Sequence, residues 1–310
     1  MGTFLKKMMM NCDYENMTPL TFTAEAAGST VKLIKSGSPT VDGVQYRIGT
    51  SGGWSPYTID TVLTLTNIGD CVQFQNTLET LGTSNANYAK FVMTGKIAAT
   101  GNCMSMLNFR DKMTAYAFYY LFNGCSNLVN APELPATTLA GGCYSGMFNG
   151  CTSLVNAPEL PATTLSNYCY SAMFQDCSSL TSAPKLPTKT LTTNCYYSMF
   201  ANCTSLVNGP ELPATVLKTS CYAHMFNGCS SLVNAPELPA TTLANYCYDD
   251  MFNGCTKLNY IKVNFSSWID NTTNNWVAGV SSTGVFNAPS DLPVIVGDSN
   301  VPTGWTVTNN

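Results

Sequence analysis

Leu154-Val-Asn-Ala-Pro-Glu-Leu-Pro-Ala-Thr-Thr-Leu-Ser-Asn-Tyr-Cys-Tyr-Ser-Ala-Met-Phe-Gln-Asp-Cys-Ser-Ser179 is one copy of a unit that recurs, almost letter for letter, along the middle of the chain. Tandem copies occupy Leu128–Ser153, Leu154–Ser179, Leu180–Ser205 and Leu206–Ser231, and a further copy closes at Lys257. A period between about 20 and 50 residues means an array in which each unit buries its apolar face only against its neighbours. The repeat therefore decides the architecture, and the rest of the chain is read outward from it.

Within a unit, Cys143, Met147 and Cys151 fall at i, i+4 and i+8, and Tyr144 and Phe148 form a second i, i+4 pair. This spacing predicts a short amphipathic helix. Gly124, Gly150, Asp176, Asn202, Gly228 and Gly254 stand before the second cysteine of successive units. All tolerate positive φ, as a left-handed helix cap requires. Leu154-Val-Asn predicts a short strand, because a proline follows at 132, 158, 184, 210 and 236 in turn, and proline cannot donate to a ladder. Lys262 replaces that proline, predicting a longer strand over Leu258–Phe265 at a protected end of the stack. Trp268, Trp276 and Trp305 follow and are expected over the last open repeat face. Stacked strands sit about 4.8 Å apart and packed helices about 8–10 Å apart, so the array is expected to curve with its strands inside.

Ahead of the repeats, residues 19–95 alternate apolar and polar at period two, as in Leu20-Thr-Phe22, Val31-Lys-Leu33 and Val72-Gln-Phe74, between turn clusters such as Asn67-Ile-Gly-Asp70. Short strands at this spacing predict a small antiparallel sandwich. Residues 1–18 read as a mobile arm.

The chain has 310 residues, of which only 10% are charged, and a net charge of −4; about 25% charged is usual. There is no basic footprint for nucleic acid, no polybasic membrane patch and no apolar run near the about 18 residues that span a bilayer. Met1–Asn16 lacks the apolar core of a standard signal peptide. The expectation is no nucleic acid, no membrane insertion, and a place on a cell surface, outside the cell or on a virion.

Of fourteen cysteines, eleven fall into two columns, at 143, 169, 195, 221 and 247 and at 125, 151, 177, 203, 229 and 255. Two helical turns would separate the cysteines of one unit too far for a disulfide. Bonding between units is geometrically open but gives no unique pairing, and zinc spacing is absent. Free thiols used as small hydrophobes and a stapled ladder are the two readings. His224 is the chain's one histidine and occupies a slot that holds Gly146, Ala172, Ser198 and Asp250 elsewhere. No nucleophile elbow or phosphate loop accompanies it. Glu133, Glu159, Glu211 and Glu237 form a column around Lys185, read as a solvated charge ladder. The chain is therefore expected to be no enzyme, with no cofactor and no metal.

Variation between copies concentrates at 140–142 (Ala-Gly-Gly, then Ser-Asn-Tyr, Thr-Thr-Asn, Lys-Thr-Ser and Ala-Asn-Tyr) and at 145–146 (Ser-Gly, then Ser-Ala, Tyr-Ser, Ala-His and Asp-Asp). A stacked array displays such positions as one stripe. Asn167, Tyr168, Asn194, Tyr197, His224, Tyr246, Asp249 and Asp250 are the candidate ligand contacts, tyrosine being enriched at binding hot spots. The alternative is neutral drift on a solvent face.

Leu160-Pro161, Met173-Phe174 and Cys177-Ser-Ser-Leu180 resemble motifs of the BspA-like leucine-rich repeat proteins of gut and oral anaerobes, in the 26-residue surface variant. The resemblance covers about residues 115–260. It implies surface display and binding to proteins, glycans or cells, and it supplies no catalytic residue. Similar repeats also look like tail or fibre components of phages.

The expected fold is thus α+β: a leucine-rich-repeat solenoid, with a short strand and a short helix per 26-residue repeat, preceded by a small β-sandwich. The expected divisions are 1–18, 19–95, 96–257 and a capping region, 258–310. The expected function is adhesion or receptor binding to a protein or glycan ligand, with a second copy or a virion partner held through the N-terminal domain. The alternative is a structural component of a tail, fibre or surface filament with the repeats as spacer.

Overall fold

The computed structural model describes residues 17–110 and 112–310. Of the expected arm, residues 1–16 lie outside the described residues; Thr18 is described, and its carbonyl accepts from the Asn102 N–H.

The strands are β1 (Leu20–Ala24), β2 (Ser29–Ser36), β3 (Val44–Ile48), β4 (Ser55–Pro56), β5 (Leu63–Leu65), β6 (Cys71–Asn76), β7 (Tyr88–Thr94), β8 (Ile97–Thr100), β9 (Leu128–Asn130), β10 (Tyr260–Lys262), β11 (Val285–Ala288) and β12 (Thr306–Asn309). The period-two alternation of residues 19–95 yields two sheets, ordered β4-β3-β6-β1-β8-β9 and β5-β2-β7. Phe22 and Phe74 of the first meet Phe91 of the second, with ring centroids 4.7 and 5.1 Å apart. This layer does not stand apart from the repeats. Its larger sheet runs through β8 into β9, the strand of the first coil, and β8 and β9 pair in parallel.

The α+β leucine-rich-repeat solenoid expected from the spacing is not what the chain adopts. Among the described residues the one helix is a 3-10 turn, Cys103–Leu107, that precedes the repeats. The segment read as a helix is instead a run of tight turns. Gly142, Gly146 and Gly150 all have positive φ (59°, 59° and 73°). So do Tyr168, Ala172 and Asp176, then Asn194, Ser198 and Asn202, then Ser220, His224 and Gly228, then Tyr246, Asp250 and Gly254. A left-handed residue every fourth position cannot sit in a right-handed helix. The apolar pairs at i and i+4 come from a period of 4.0, and over nine residues that spacing also fits 3.6. The third left-handed column is the one read as a helix cap; the first two were hidden in the variable stripe.

The hydrogen bonds follow the same period. The N–H groups of Cys143, Ser145, Met147, Asn149 and Cys151 donate to carbonyls three residues back, at 3.0–3.3 Å. Those of Gly142, Tyr144, Gly146, Phe148 and Gly150 leave the coil and donate to Asn167, Cys169, Ser171, Met173 and Gln175 of the next coil, at 2.8–3.0 Å. Every N–H along this segment is therefore satisfied, half locally and half between coils. Elsewhere coils meet through isolated parallel bridges 26 residues apart, such as Thr138 with Thr164, Asn156 with Ser182 and Asn208 with Asn234. The predicted strand survives at Leu128–Asn130 and at Tyr260–Lys262, three residues each, so the last one is no longer than the first; in the units between, one bridge is left of it, ahead of the proline. With no helix on the far side, the reason given for curvature also lapses.

Repetition puts identical side chains on top of each other. Phe122, Phe148, Phe174, Phe200, Phe226 and Phe252 form one buried column with centroids 5.4–5.8 Å apart and nearly parallel planes. Tyr144, Tyr170, Tyr196, Tyr222 and Tyr248 form another. Past the last full copy, Lys262 does not end the stack: β10, β11 and β12 pair in parallel, and Asn271, Asn275 and Gly279 repeat the left-handed trio. Fully buried Trp276 takes the methionine slot, with Val277 in the phenylalanine slot: the Phe252 N–H donates to the Trp276 carbonyl as that of Phe226 does to Met251, and the Trp276 and Phe252 rings lie 6.1 Å apart. Asp298–Asn300 covers the tryptophan, accepting from the Val277 N–H and from Trp276 Nε1.

These left-handed turns fix the sign of one substitution. Ala172→Gly is expected to stabilise the protein by about 1 kcal/mol, because it relieves a left-handed alanine; in a helix interior the same change destabilises by about 1 kcal/mol. Urea unfolding midpoints of the two proteins check it.

Candidate functional site

The cysteines are the most numerous reactive side chains, and burial disarms them. Thirteen are described, all free, and of these only Cys71 is not buried. In the column before the strand the thiols have a structural task. Cys125, Cys151, Cys177, Cys203, Cys229 and Cys255 donate S–H to the carbonyls of Phe91, Phe122, Phe148, Phe174, Phe200 and Phe226 of the layer beneath, at 3.0–3.2 Å. A residue there must be small, apolar and a donor, and cysteine is all three. Burial pushes the Cys143, Cys177 and Cys229 thiols up to about 12 and that of Cys195 to about 11. A thiol held protonated is no nucleophile. Among the described residues no cluster of three His, Cys, Asp or Glu side chains could hold a metal ion.

The open chemistry lies on the outer stripe. Tyr168 and Tyr246 are 49% and 44% exposed, and both sit at left-handed positions, as do Asn194, His224 and Asp250. Asn167 is exposed, though its Oδ1 accepts from the Thr193 N–H. The fold brings Tyr197, His224 and Asp250 together on successive coils: the Tyr197 and His224 rings lie 5.2 Å apart, and His224 Nδ1 is 3.8 Å from Asp250 Oδ2. Asp249 belongs to the framework, since its carboxylate accepts from the Asn274 N–H and from Asn274 Nδ2. Tyr168 and Tyr246 stand three coils apart and do not meet. The stripe thus holds one group of neighbours, Tyr197, His224 and Asp250, and separate tyrosines at Tyr168 and Tyr246.

Three tyrosines of the same stripe escaped the reading of the repeats. Tyr116, Tyr119 and Tyr120 lie 26 residues before Gly142, Ser145 and Gly146, so they are the first coil's share of the variable columns. Tyr88 of β7 joins them. Centroids are 5.2 Å apart for Tyr88 and Tyr119, 5.7 Å for Tyr88 and Tyr120, 5.8 Å for Tyr116 and Tyr119, and 4.2 Å for Tyr119 and Tyr120. The signal was available: extending the repeat register back over the degenerate first unit finds them.

On another side the prolines and glutamates of adjacent coils line shallow troughs, for example Pro158, Glu159, Pro161, Pro184, Lys185 and Pro187. Glu133, Glu159, Lys185, Glu211 and Glu237 are all exposed, and Lys262 Nζ closes the ladder on Glu237 Oε1 at 2.8 Å.

No family model, curated protein or solved structure matches this chain. Among the described residues no helix is long and apolar enough to cross a membrane.

The raised thiols and the buried tyrosines, which burial also holds well above their ordinary range, make stability depend on alkaline pH. Folding keeps their protons on, so their contribution is complete below the unfolded thiol value, near 8.5–9, and is lost as pH rises toward 11–12. Each thiol loses about 1.4 kcal/mol per pH unit inside that window. A steep loss of thermal stability above pH 9 is expected, with a flat profile from pH 6 to 8. At pH 8 a thiol reagent should label Cys71 among the described cysteines, and the buried twelve only after denaturant is added.

Proposed function

We propose that this protein is a non-enzymatic binding module, an adhesin or receptor-binding component displayed on a cell surface or a virion. It recognises a protein or glycan through the outer stripe of its stacked coils. One observation carries this reading: framework columns repeat with little change from coil to coil, while the columns at 142, 145 and 146 and their equivalents vary along the stack and include the exposed Tyr168 and Tyr246. The coils are tied by two hydrogen-bond sets and by ring columns, so the stripe is already ordered before a ligand arrives and little entropy is lost on binding. The motif resemblance to BspA-like surface repeats supports the same reading.

A second reading, a structural block in a tail or filament, draws on one specific feature. Val294, Ile295 and Val296 are 61%, 49% and 58% exposed, a run of three apolar side chains in solvent. Such a run favours association with another surface.

Fluorescently labelled protein, tested on a panel of gut bacteria and on host matrix proteins, separates these readings. Saturable binding that falls about tenfold or more in a Tyr168→Ala/Tyr197→Ala/Tyr246→Ala variant is the expected result. Absence of binding to every surface, together with concentration-dependent assembly by light scattering, overturns the binding reading in favour of the structural one.

A further inference from the structure

The tyrosine cluster where the N-terminal sheets meet the stack has a more definite chemistry than the rest of the stripe. Its four rings come from two parts of the fold: Tyr88 from β7, and Tyr116, Tyr119 and Tyr120 from the first coil. Junctions of this kind are where small-molecule sites tend to form. The backbone beneath is pinned, since the Tyr116 and Tyr120 N–H groups donate to Gly141 and Ser145 of the second coil.

The second coil is shaped to receive the rings. A Cβ on Gly142 would stand 2.8 Å from Tyr116 Cε1, and a Cβ on Gly146 only 1.9 Å from Tyr120 Cε1. The Tyr116 and Tyr120 rings therefore lie down over the bare backbone of the next coil instead of projecting into solvent. All four rings stay half-buried, so each keeps part of its surface open. The result is a preset aromatic surface rather than a set of loose side chains.

Charge narrows the ligand. In the first three coils the stripe holds Tyr116, Tyr119, Tyr120, Gly142, Ser145, Gly146, Tyr168, Ser171 and Ala172 in turn, without a single ionisable acid or base of the Asp, Glu, Lys or Arg kind. The charged members, Lys218, Asp249 and Asp250, belong to the last two full coils. Burial and the neighbouring Tyr120 hydroxyl hold the Tyr119 phenol above its ordinary range, so it stays a neutral hydroxyl. Phenol rings edged by serine hydroxyl and backbone amide groups match a sugar, and the one charge on the Tyr88 face of β7 is Lys90, two residues along the strand. The C–H face of a pyranose packs on aromatic rings, and its hydroxyls exchange hydrogen bonds with phenol and serine oxygens.

We propose that Tyr88, Tyr116, Tyr119 and Tyr120 form a binding site for a neutral carbohydrate, with Tyr119 and Tyr120 as its principal stacking residues. The inference rests on reading the stripe as a recognition surface and adds the class of ligand and its location.

The test is affinity electrophoresis of the full chain in native gels containing galactomannan, xyloglucan, glycogen or dextran. Wild-type protein should be retarded by at least one of these. Tyr119→Ala/Tyr120→Ala should weaken that interaction about tenfold or more. Tyr119→Phe/Tyr120→Phe, which keeps the rings, should stay within about threefold, and Glu211→Gln, in a proline-lined trough on another side, should leave it unchanged. Ser145→Arg puts a charge beside the rings without removing one and should also weaken binding, which covers the case in which the double alanine variant fails to fold. Absence of retardation in all four gels overturns the carbohydrate site. So does retardation that survives both the alanine and the arginine changes. If labelled protein still binds cells in either case, the sugar assignment falls alone and the recognition reading stands.

Discussion

Every second N–H along residues 142–150 leaves its own coil and bonds a carbonyl of the next, while the N–H groups between them close turns within the coil. This division is possible only because a left-handed residue falls at every fourth position, turning alternate amides outward along the stack. A helix would have spent all of its amides internally, leaving only side-chain packing between neighbours. The turns commit half of the backbone to the interface between coils. That fixes the spacing, and the spacing places each phenylalanine over the next at 5.4–5.8 Å. The ends must then satisfy the same groups in another way. At one end the β7 amide of Phe91 donates to Leu121 of the first coil; at the other Asp298 accepts from Val277.

The cysteines follow from the same geometry. Each phenylalanine carbonyl in the ladder already accepts from the amide three residues on, as Phe148 does from Cys151. Its second lone pair points toward the coil above, where Cys177 Sγ lies 3.1 Å away. Serine would fill that lone pair at a higher desolvation cost, and alanine would leave it empty. The thiols are thus part of the framework hydrogen bonding, and their protonated state is a condition of the fold rather than a by-product of burial.

How much of this was legible in the sequence depends on which interaction each residue reports. The 26-residue period was legible because stacking demands the same side chain at the same level, and the columns of Phe148 and Tyr144 repeat it openly. The third left-handed column was legible because Gly150, Asp176 and Asn202 share nothing except tolerance of positive φ. The turns themselves were not, because Cys143, Met147 and Cys151 satisfy a period of 4.0 and of 3.6 alike. Gly142 and Gly146, which would have broken the tie, give way to Tyr168 and Ala172 in the next unit. The thiol to carbonyl bonds have no signature in one chain. The first-coil tyrosines were missed for another reason: their unit has lost most framework letters, and only the register of its neighbours identifies Tyr116, Tyr119 and Tyr120.

The strain in the stripe bears on what the stripe is for. A left-handed backbone costs a non-glycine residue about 1 kcal/mol or more, less for Asn and Asp, whose side chains bond locally. Asn194, Asp250 and Gly146 are inexpensive occupants by this measure. Tyrosine is not, yet Tyr116, Tyr120, Tyr168 and Tyr246 all have φ between 56° and 60°. Tyr116 and Tyr120 recover part of that cost by lying on the second coil, where glycine makes room for them. Tyr168 and Tyr246 have nearly half of their surface in solvent and recover less. Neutral drift on a solvent face tends to replace a strained, exposed aromatic with one of the cheaper residues that the same column accepts elsewhere. Strained residues held where folding does not need them are the usual mark of a site maintained for contact with something else. On that argument the exposed tyrosines, more than the variability around them, weigh against drift.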